Sequence, residues 1–365
     1  MRDRSHTRAW RRRHSAALVA IAAVVGVLPS AASAKPYTPP HHRVFHGVTD
    51  TGNTADFRNF RTRVGAHPAV LEDLYHWGTP LTTGALRRWR GTDTRGVLSL
   101  STAPGGEKEV VSPAGIASGR HDHYIIGVAR SIAESRQVVY IRLFPEMNGS
   151  WNPYCAFNPD GTRKGSSHST AMFRKAWRRF ALIARGGRRA TINRKLRALH
   201  MPRIYRAHSN RDPEYARKNV PSRLPHPKIA FLWNPQTVGS PHVSGNAPRN
   251  YWPGGKYVDW IGADIYSKYA AFAFPHLTSF YRHWDDKPFF IGEYSPWDSD
   301  PAGRFVQRLF HWAKKHGRTR MLVYYRSVYA GSPYDIGHFP AARSALRKIL
   351  AHHRRYAQYA PGTHP

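Results

Sequence analysis

A single cysteine, Cys155, stands among 365 residues. No disulfide can form within the chain, so a disulfide-built fold and a cysteine-rich zinc site are both excluded. Acid is scarce as well: 22 Asp and Glu face 56 Lys and Arg, a formal net charge of +34. Such a surface attracts polyanions, and an anionic cell-wall polymer is a partner it could take. No DNA- or RNA-binding motif accompanies the charge, so specific nucleic-acid binding is not expected. Beyond the first 34 residues no apolar run reaches membrane length. No G-x-G-x-x-G follows the first candidate strand, and the dinucleotide-binding fingerprint is therefore missing. Aromatics are plentiful, with 11 Trp, 19 Tyr and 16 Phe, which argues against disorder and for one large hydrophobic core.

The first 34 residues read as a secretory signal. Arg2, Arg4, Arg8 and Arg11 to Arg13 form a basic head, Ala16 to Leu28 is apolar, and Ala32-Ser33-Ala34 offers small residues for cleavage. This places the protein outside the cell, with the membrane involved only through the signal. Residues 35–42 read as a Pro-rich spacer, 43–357 as the catalytic domain and 358–365 as a tail.

Eight apolar or β-branched runs recur along the domain: Arg43–Val48, Ala69–Tyr75, Gly96–Ser101, Val138–Phe144, Lys228–Trp233, Val258–Ile265, Pro288–Gly292 and Met321–Tyr325. Helical patterns such as His123–Ser135, Met172–Ala184 and Gly303–Lys315 lie between them. Strands alternating with helices imply a parallel sheet, and eight units in about 300 residues predict an α/β fold, a single (β/α)8 barrel. One connection is too long. Residues 185–227, rich in Arg, His and Pro, form a basic insert after the fourth strand.

Barrel enzymes carry their reactive groups at the C-terminal ends of strands. The fourth run leads into Glu146 and the seventh ends on Glu293. An acid at the end of an apolar strand is costly unless partnered; for either glutamate alone, a salt bridge to Arg142 would suffice. Two together at one barrel mouth suit glycosidic cleavage, in which one carboxyl donates a proton and the other attacks or activates water. Trp151 and Trp297 follow the two glutamates, Trp233-Asn234 ends the fifth strand, Tyr266 ends the sixth and Trp77 follows the second. Aromatic faces stack on pyranose rings, and Asn and Tyr bond their hydroxyls. His121-Asp122-His123 is too compact to enclose a metal ion, and Asp122 reads as a helix cap. Cys155 reads as a plain loop cysteine. No metal or organic cofactor is expected.

The run Arg142 to Trp151 (RLFPEMNGSW) resembles the acid/base strand of glycoside hydrolase family 26. Tyr251 to Tyr266 is similar to that family's approach through strand six, and Lys287 to Glu293 to its nucleophile strand. The resemblance implies a retaining (β/α)8 glycosidase acting on a β-linked polysaccharide, foremost β-1,4-mannan and otherwise mixed-linkage β-glucan or β-xylan. It implies Glu146 as acid/base, Glu293 as nucleophile and Tyr266 as a donor to the nucleophile. Trp151 would help form the sugar cleft, with Arg142, Trp233, Asn234 and Trp297 as further substrate contacts. Two departures stand out. Pro145 occupies the place where the mannanases commonly carry His, and Ser101-Thr102 ends strand three where an aromatic is often seen. A non-catalytic carbohydrate- or wall-binding barrel is the alternative reading.

Overall fold

The structure, a computed structural model, describes residues 36–104, 108–204, 220–329 and 331–364. The expected signal segment lies outside these residues.

Eight strands build the barrel: β1 Val44–Thr49, β2 Val70–His76, β3 Arg95–Ser101, β4 Val138–Leu143, β5 Lys228–Trp233, β6 Trp260–Tyr266, β7 Phe289–Ser295 and β8 Thr319–Tyr324. Each pairs in parallel with the next, and β8 pairs with β1, so the sheet closes. The fold is a single (β/α)8 barrel. Alternation along each strand divides its side chains between lumen and helix layer. Phe45, Val70, Val97, Tyr140, Ala230, Leu232, Trp260, Phe290, Met321 and Val323 fill the lumen as one buried cluster. The intervening residues, such as Ile141, Phe231, Trp233, Ile261 and Ile291, join the larger core beneath the helices.

The helices form where apolar residues recur at helical spacing. In Arg304–Lys315, Phe305, Val306, Leu309, Phe310, Trp312 and Ala313 are buried. The helix Asp122–Ser135 begins one residue earlier than its apolar pattern suggests. His121 occupies the N-cap position and makes no side-chain cap bond. Asp122 is thus not the cap; burial turns it instead toward Arg179, which grips both its oxygens at 2.7 and 2.5 Å.

The two ends of the domain close the floor of the barrel. Tyr140 Oη donates to the Tyr37 carbonyl at 2.5 Å and Trp260 Nε1 to that of Pro36 at 2.6 Å. Residues read as spacer therefore cover the start of the lumen. At the other end, Tyr356–Ala357 adds a short parallel pairing to β1, and Arg95 donates to the Pro361 carbonyl at 2.9 Å.

One irregularity matters for the site. Ile291 pairs with Ala263 of β6 and Leu322 of β8, but the next aligned residue on β7 is Tyr294, opposite Ile265 and Tyr324. Gly292 and Glu293 together face one residue on each side, which is a β-bulge. Phe290 and Gly292 point into the lumen, so strict alternation would send Glu293 outward. The bulge turns Glu293 inward.

Candidate active site

Glu146 lies three residues past the end of β4, in a turn that regular backbone would not make. Phe144 and Glu146 both have left-handed φ angles, +48° and +51°. Such conformations cost about 1–3 kcal/mol each for non-glycine residues and persist only where surroundings hold them. Here the surroundings do. The Glu146 amide donates to the Asn234 carbonyl at 2.6 Å, and Asn152 Nδ2 donates to the Glu146 carbonyl at 2.9 Å. Asn148 and Gln236 exchange bonds, with Nδ2 donating to the Gln236 carbonyl at 3.0 Å and the Gln236 amide donating to Oδ1 at 2.8 Å. The loops after β4 and β5 are thereby stapled together. Pro145 contributes its carbonyl, which accepts from Tyr154 Oη at 2.7 Å.

The Glu146 carboxyl receives two N–H donors, Trp151 Nε1 on Oε2 at 3.1 Å and Gln236 Nε2 on Oε1. It is closely walled in but keeps an opening to solvent at the mouth. Burial, and next the charge of Glu293, push it up to about 7. Burial outweighs the two donors, which favour the charged form.

Glu293 is held differently. Arg142 Nη1 donates to Oε1 at 2.6 Å, and Tyr266 Oη donates to Oε2. Both oxygens are bonded and the side chain remains 15% exposed, enough to meet a ligand. Arg142 itself is buried, and its donors reach four residues. Nη1 also meets Glu72 at 3.1 Å, Nη2 meets Asp264 at 2.6 Å and Nε meets Asn234 at 3.1 Å. Arg142, expected to contact substrate, instead holds this carboxylate array in place. Burial raises Glu72 to about 7 and lifts Asp264 well above the carboxylate range, with Glu293's charge adding to both.

The structure thus brings Glu146, Glu293, Arg142, Asn234, Tyr266 and Trp151 to one end of the barrel. Trp151 is 58% exposed beside Glu146. Trp297 sits on the Glu293 side, edge-on to Tyr266, Tyr334 and Tyr269 at centroid distances of 5.6, 5.4 and 5.8 Å. Two of the aromatics are elsewhere. Trp233 is fully buried against Trp252, Trp284 and Phe280 on the helix side of β5, so it is a core residue and not a sugar contact. Trp77 is buried against Tyr124, Phe144 and Phe180. Cys155 is buried beside Asn246 and Tyr251.

Three members of the array were not singled out from sequence: Glu72, Asp264 and Gln236. Period-two spacing could have found the first two. Asp264 precedes Tyr266 by two residues on β6 and shares its face, and Glu72 follows the lumen residue Val70 by two on β2.

No protein-family model and no curated protein sequence matches the chain. Solved structures do. A family 26 β-mannanase from Bacteroides ovatus superposes with a TM-score of 0.53 at 14% identity, over 91% of this chain and 99% of its own. The barrel has the family 26 glycoside hydrolase fold. The catalytic domain of a family 26 endo-β-1,4-mannanase from Bacillus sp. JAMB-750 gives 0.53 at 13% identity, covering 88% of this chain and 89% of that one. A Bacillus subtilis mannanase gives 0.50 at 14%, again over 88% and 89%. At such identities the likeness to family 26 is one of architecture, and the chemistry must be argued from the side chains.

Proposed function

We propose that the protein is a secreted retaining glycoside hydrolase that cleaves a β-linked polysaccharide by double displacement. One observation carries this reading: two glutamates share a barrel mouth in opposed settings. Glu146 sits where its proton is retained, and Glu293 is held by a guanidinium and a phenol. In the first step Glu146 would protonate the glycosidic oxygen while Glu293 attacks the anomeric carbon, expelling the leaving sugar and forming a glycosyl ester. Such a step requires carboxyls about 5–5.5 Å apart. Esterification removes the charge of Glu293, so the repulsion that helps keep Glu146 protonated is lost. Glu146 then takes a proton from water, which displaces the ester. Arg142 and Tyr266 orient Glu293 throughout.

The structural neighbours from Bacteroides and Bacillus are mannanases, which makes β-1,4-mannan the substrate to test first, ahead of mixed-linkage glucan and xylan. The mouth aromatics Trp151 and Trp297 would stack on sugar rings, and export rests on the N-terminal 34 residues. The test is release of reducing ends from this panel by the wild type, Glu146→Gln and Glu293→Gln. Each variant should fall by roughly 10³-fold or more, and a 2-fluoro-glycoside with a good leaving group should label Glu293. Polysaccharide binding without reducing-end release would instead favour a non-catalytic barrel. Activity of either variant within tenfold of wild type would falsify the assignment.

A further inference from the structure

Apart from Arg185, which meets Asp259, the arginines and lysine of the basic insert have no carboxylate partner among the described residues. From Gly161 to Val258 the sequence holds two acids, Asp212 and Glu214. Residues 205–219, which contain both, also carry Arg206, Arg211, Arg217 and Lys218, so they add positive charge overall. The described part of the insert starts with a ribbon in which Gly187–Arg188 pairs antiparallel with Arg223–Leu224. Arg188 and Arg223 are direct cross-strand partners, and like charges in that position repel. Among the described residues, neither pairs with a carboxylate.

The helix Arg189–Ala198 follows. Ile192 and Leu196 are its buried residues, and Arg189, Asn193 and Arg197 recur at four-residue spacing along an adjoining stripe. Together with Arg203 they line a groove whose floor is the buried pair Met201 and Ile204. Asn193 Oδ1 accepts from the Ile204 amide at 2.8 Å, so its NH2 is the donor it offers the groove. Among the described residues, the Arg189 side chain donates to the Val220 carbonyl and its backbone amide to the Ser222 carbonyl. Arg194, Arg197 and Arg203 are exposed, and none has an acidic partner among the described residues.

The ribbon lies between the end of the helix Thr170–Ala184 and the first residue of β5. It is rooted at the end of the barrel opposite the mouth. Arg185 fixes that root through both Asp259 oxygens, at 3.0 and 2.9 Å.

We infer that this groove is a docking surface for a carboxylate-bearing polysaccharide, separate from the catalytic mouth. Guanidinium groups bind carboxylates in bidentate fashion. The apolar floor and the amide NH2 suit a pyranose ring between its carboxylates. A single-stranded nucleic acid would call for aromatic platforms, and among the described residues the groove lining contains none. Because the groove is rooted away from the mouth, a chain held there leaves the mouth open, and the acidic polymer acts as a tether and not as the hydrolysed chain.

Retention of the protein on immobilised polygalacturonate tests this, with neutral mannan, DNA and polyphosphate supports in parallel. A variant with the groove arginines Arg189, Arg197 and Arg203 replaced by Ser is compared with a charge-matched variant in which exposed Arg58, Arg87 and Arg130 become Ser. Unfolding midpoints establish that both are folded. Wild type should bind polygalacturonate at about 0.05 M salt and release by about 1 M, where the Debye length is about 3 Å. The groove variant should lose about tenfold or more in affinity, and the control about twofold or less. Equal losses in the two variants, or no binding by wild type, would overturn the site. Tighter binding to DNA or polyphosphate, lost with the same three arginines, would overturn the choice of polymer.

Discussion

Gly292 is the position at which a single methyl group should disable the mouth. A Cβ there would lie 2.1 Å from Asn234 Oδ1, 2.8 Å from Asp264 Oδ1 and 2.9 Å from Arg142 Nε. Its φ is not in the left-handed region, so Gly292→Ala acts through sterics and not through backbone strain. All three atoms belong to the array that holds Glu293, and none ends a flexible exposed chain. Relief of a 2.1 Å contact needs about 1 Å of displacement, and misplacement on that scale costs on the order of 10²-fold in rate. Overpacking of a buried site adds about 1–3 kcal/mol of destabilisation. The assay is kcat on the responsive polysaccharide beside urea unfolding of the same preparation. Gly127→Ala is the control: this glycine is inside the helix Asp122–Ser135, and a methyl group added there would meet nothing within 4 Å. Alanine at that position should stabilise by about 0.5–1 kcal/mol. A Gly292→Ala enzyme with wild-type kcat would refute the claim that the array positions the nucleophile.

Tyr266→Phe removes the phenol that donates to Glu293. A hydrogen bond to a charged group is worth about 1.5–3 kcal/mol, so kcat should fall by about 10–100-fold with the fold intact; a change below about threefold would count against the role. Glu146 is raised to about 7, and with the proposed acid role kcat/KM should decline as pH rises through about 7, a limb that belongs to the coupled carboxyls jointly. The same raised carboxyl favours folding when protonated, so its contribution to stability is full below its unfolded value and is lost as pH rises through about 7. Urea midpoints of Glu146→Gln should therefore fall less than those of wild type across that window. Asp122→Ala strands the buried Arg179 guanidinium, leaving it the Pro202 carbonyl, and should cost about 3–5 kcal/mol; Asp122→Leu with Arg179→Met should recover most of that.

Much of this architecture was legible because barrel strands announce themselves as apolar runs. All eight expected runs overlap the strands found, with shifts of a few residues at their ends. What the runs do not declare is which face each residue takes. Trp233 and Asn234 are neighbours at the end of β5 and looked equally suited to a ligand. Ala230 and Leu232 fill the lumen, so by alternation Asn234 points inward and Trp233 outward, and the structure buries Trp233 among Trp252 and Trp284. Glu293 is the converse case. Its position at the end of an apolar run suggested a reactive group, yet alternation from Phe290 would turn it away, and only the bulge at Gly292 restores it. Bulges depend on pairing with both neighbouring strands, which local sequence does not contain.

The salt bridge to Arg142 looked from sequence like an alternative to catalysis; in the fold the same bond holds the proposed nucleophile, so the two readings are compatible. Four carboxyls, Glu72, Glu146, Asp264 and Glu293, crowd a mouth around the guanidinium of Arg142. Four negative charges against one positive would be prohibitive in so buried a site. Protons relieve the excess, and burial, which raises Glu72, Glu146 and Asp264, favours their protonated forms. Glu293 is the carboxyl that has Arg142 on one oxygen and Tyr266 on the other, so the cation is placed where the proposed nucleophile would need its charge. Glu146, which Arg142 does not bond, is left to hold a proton. The proposed division of labour between acid and nucleophile would thus follow from the placement of one arginine, and Arg142→Lys, which cannot span the same four acceptors, should blur it.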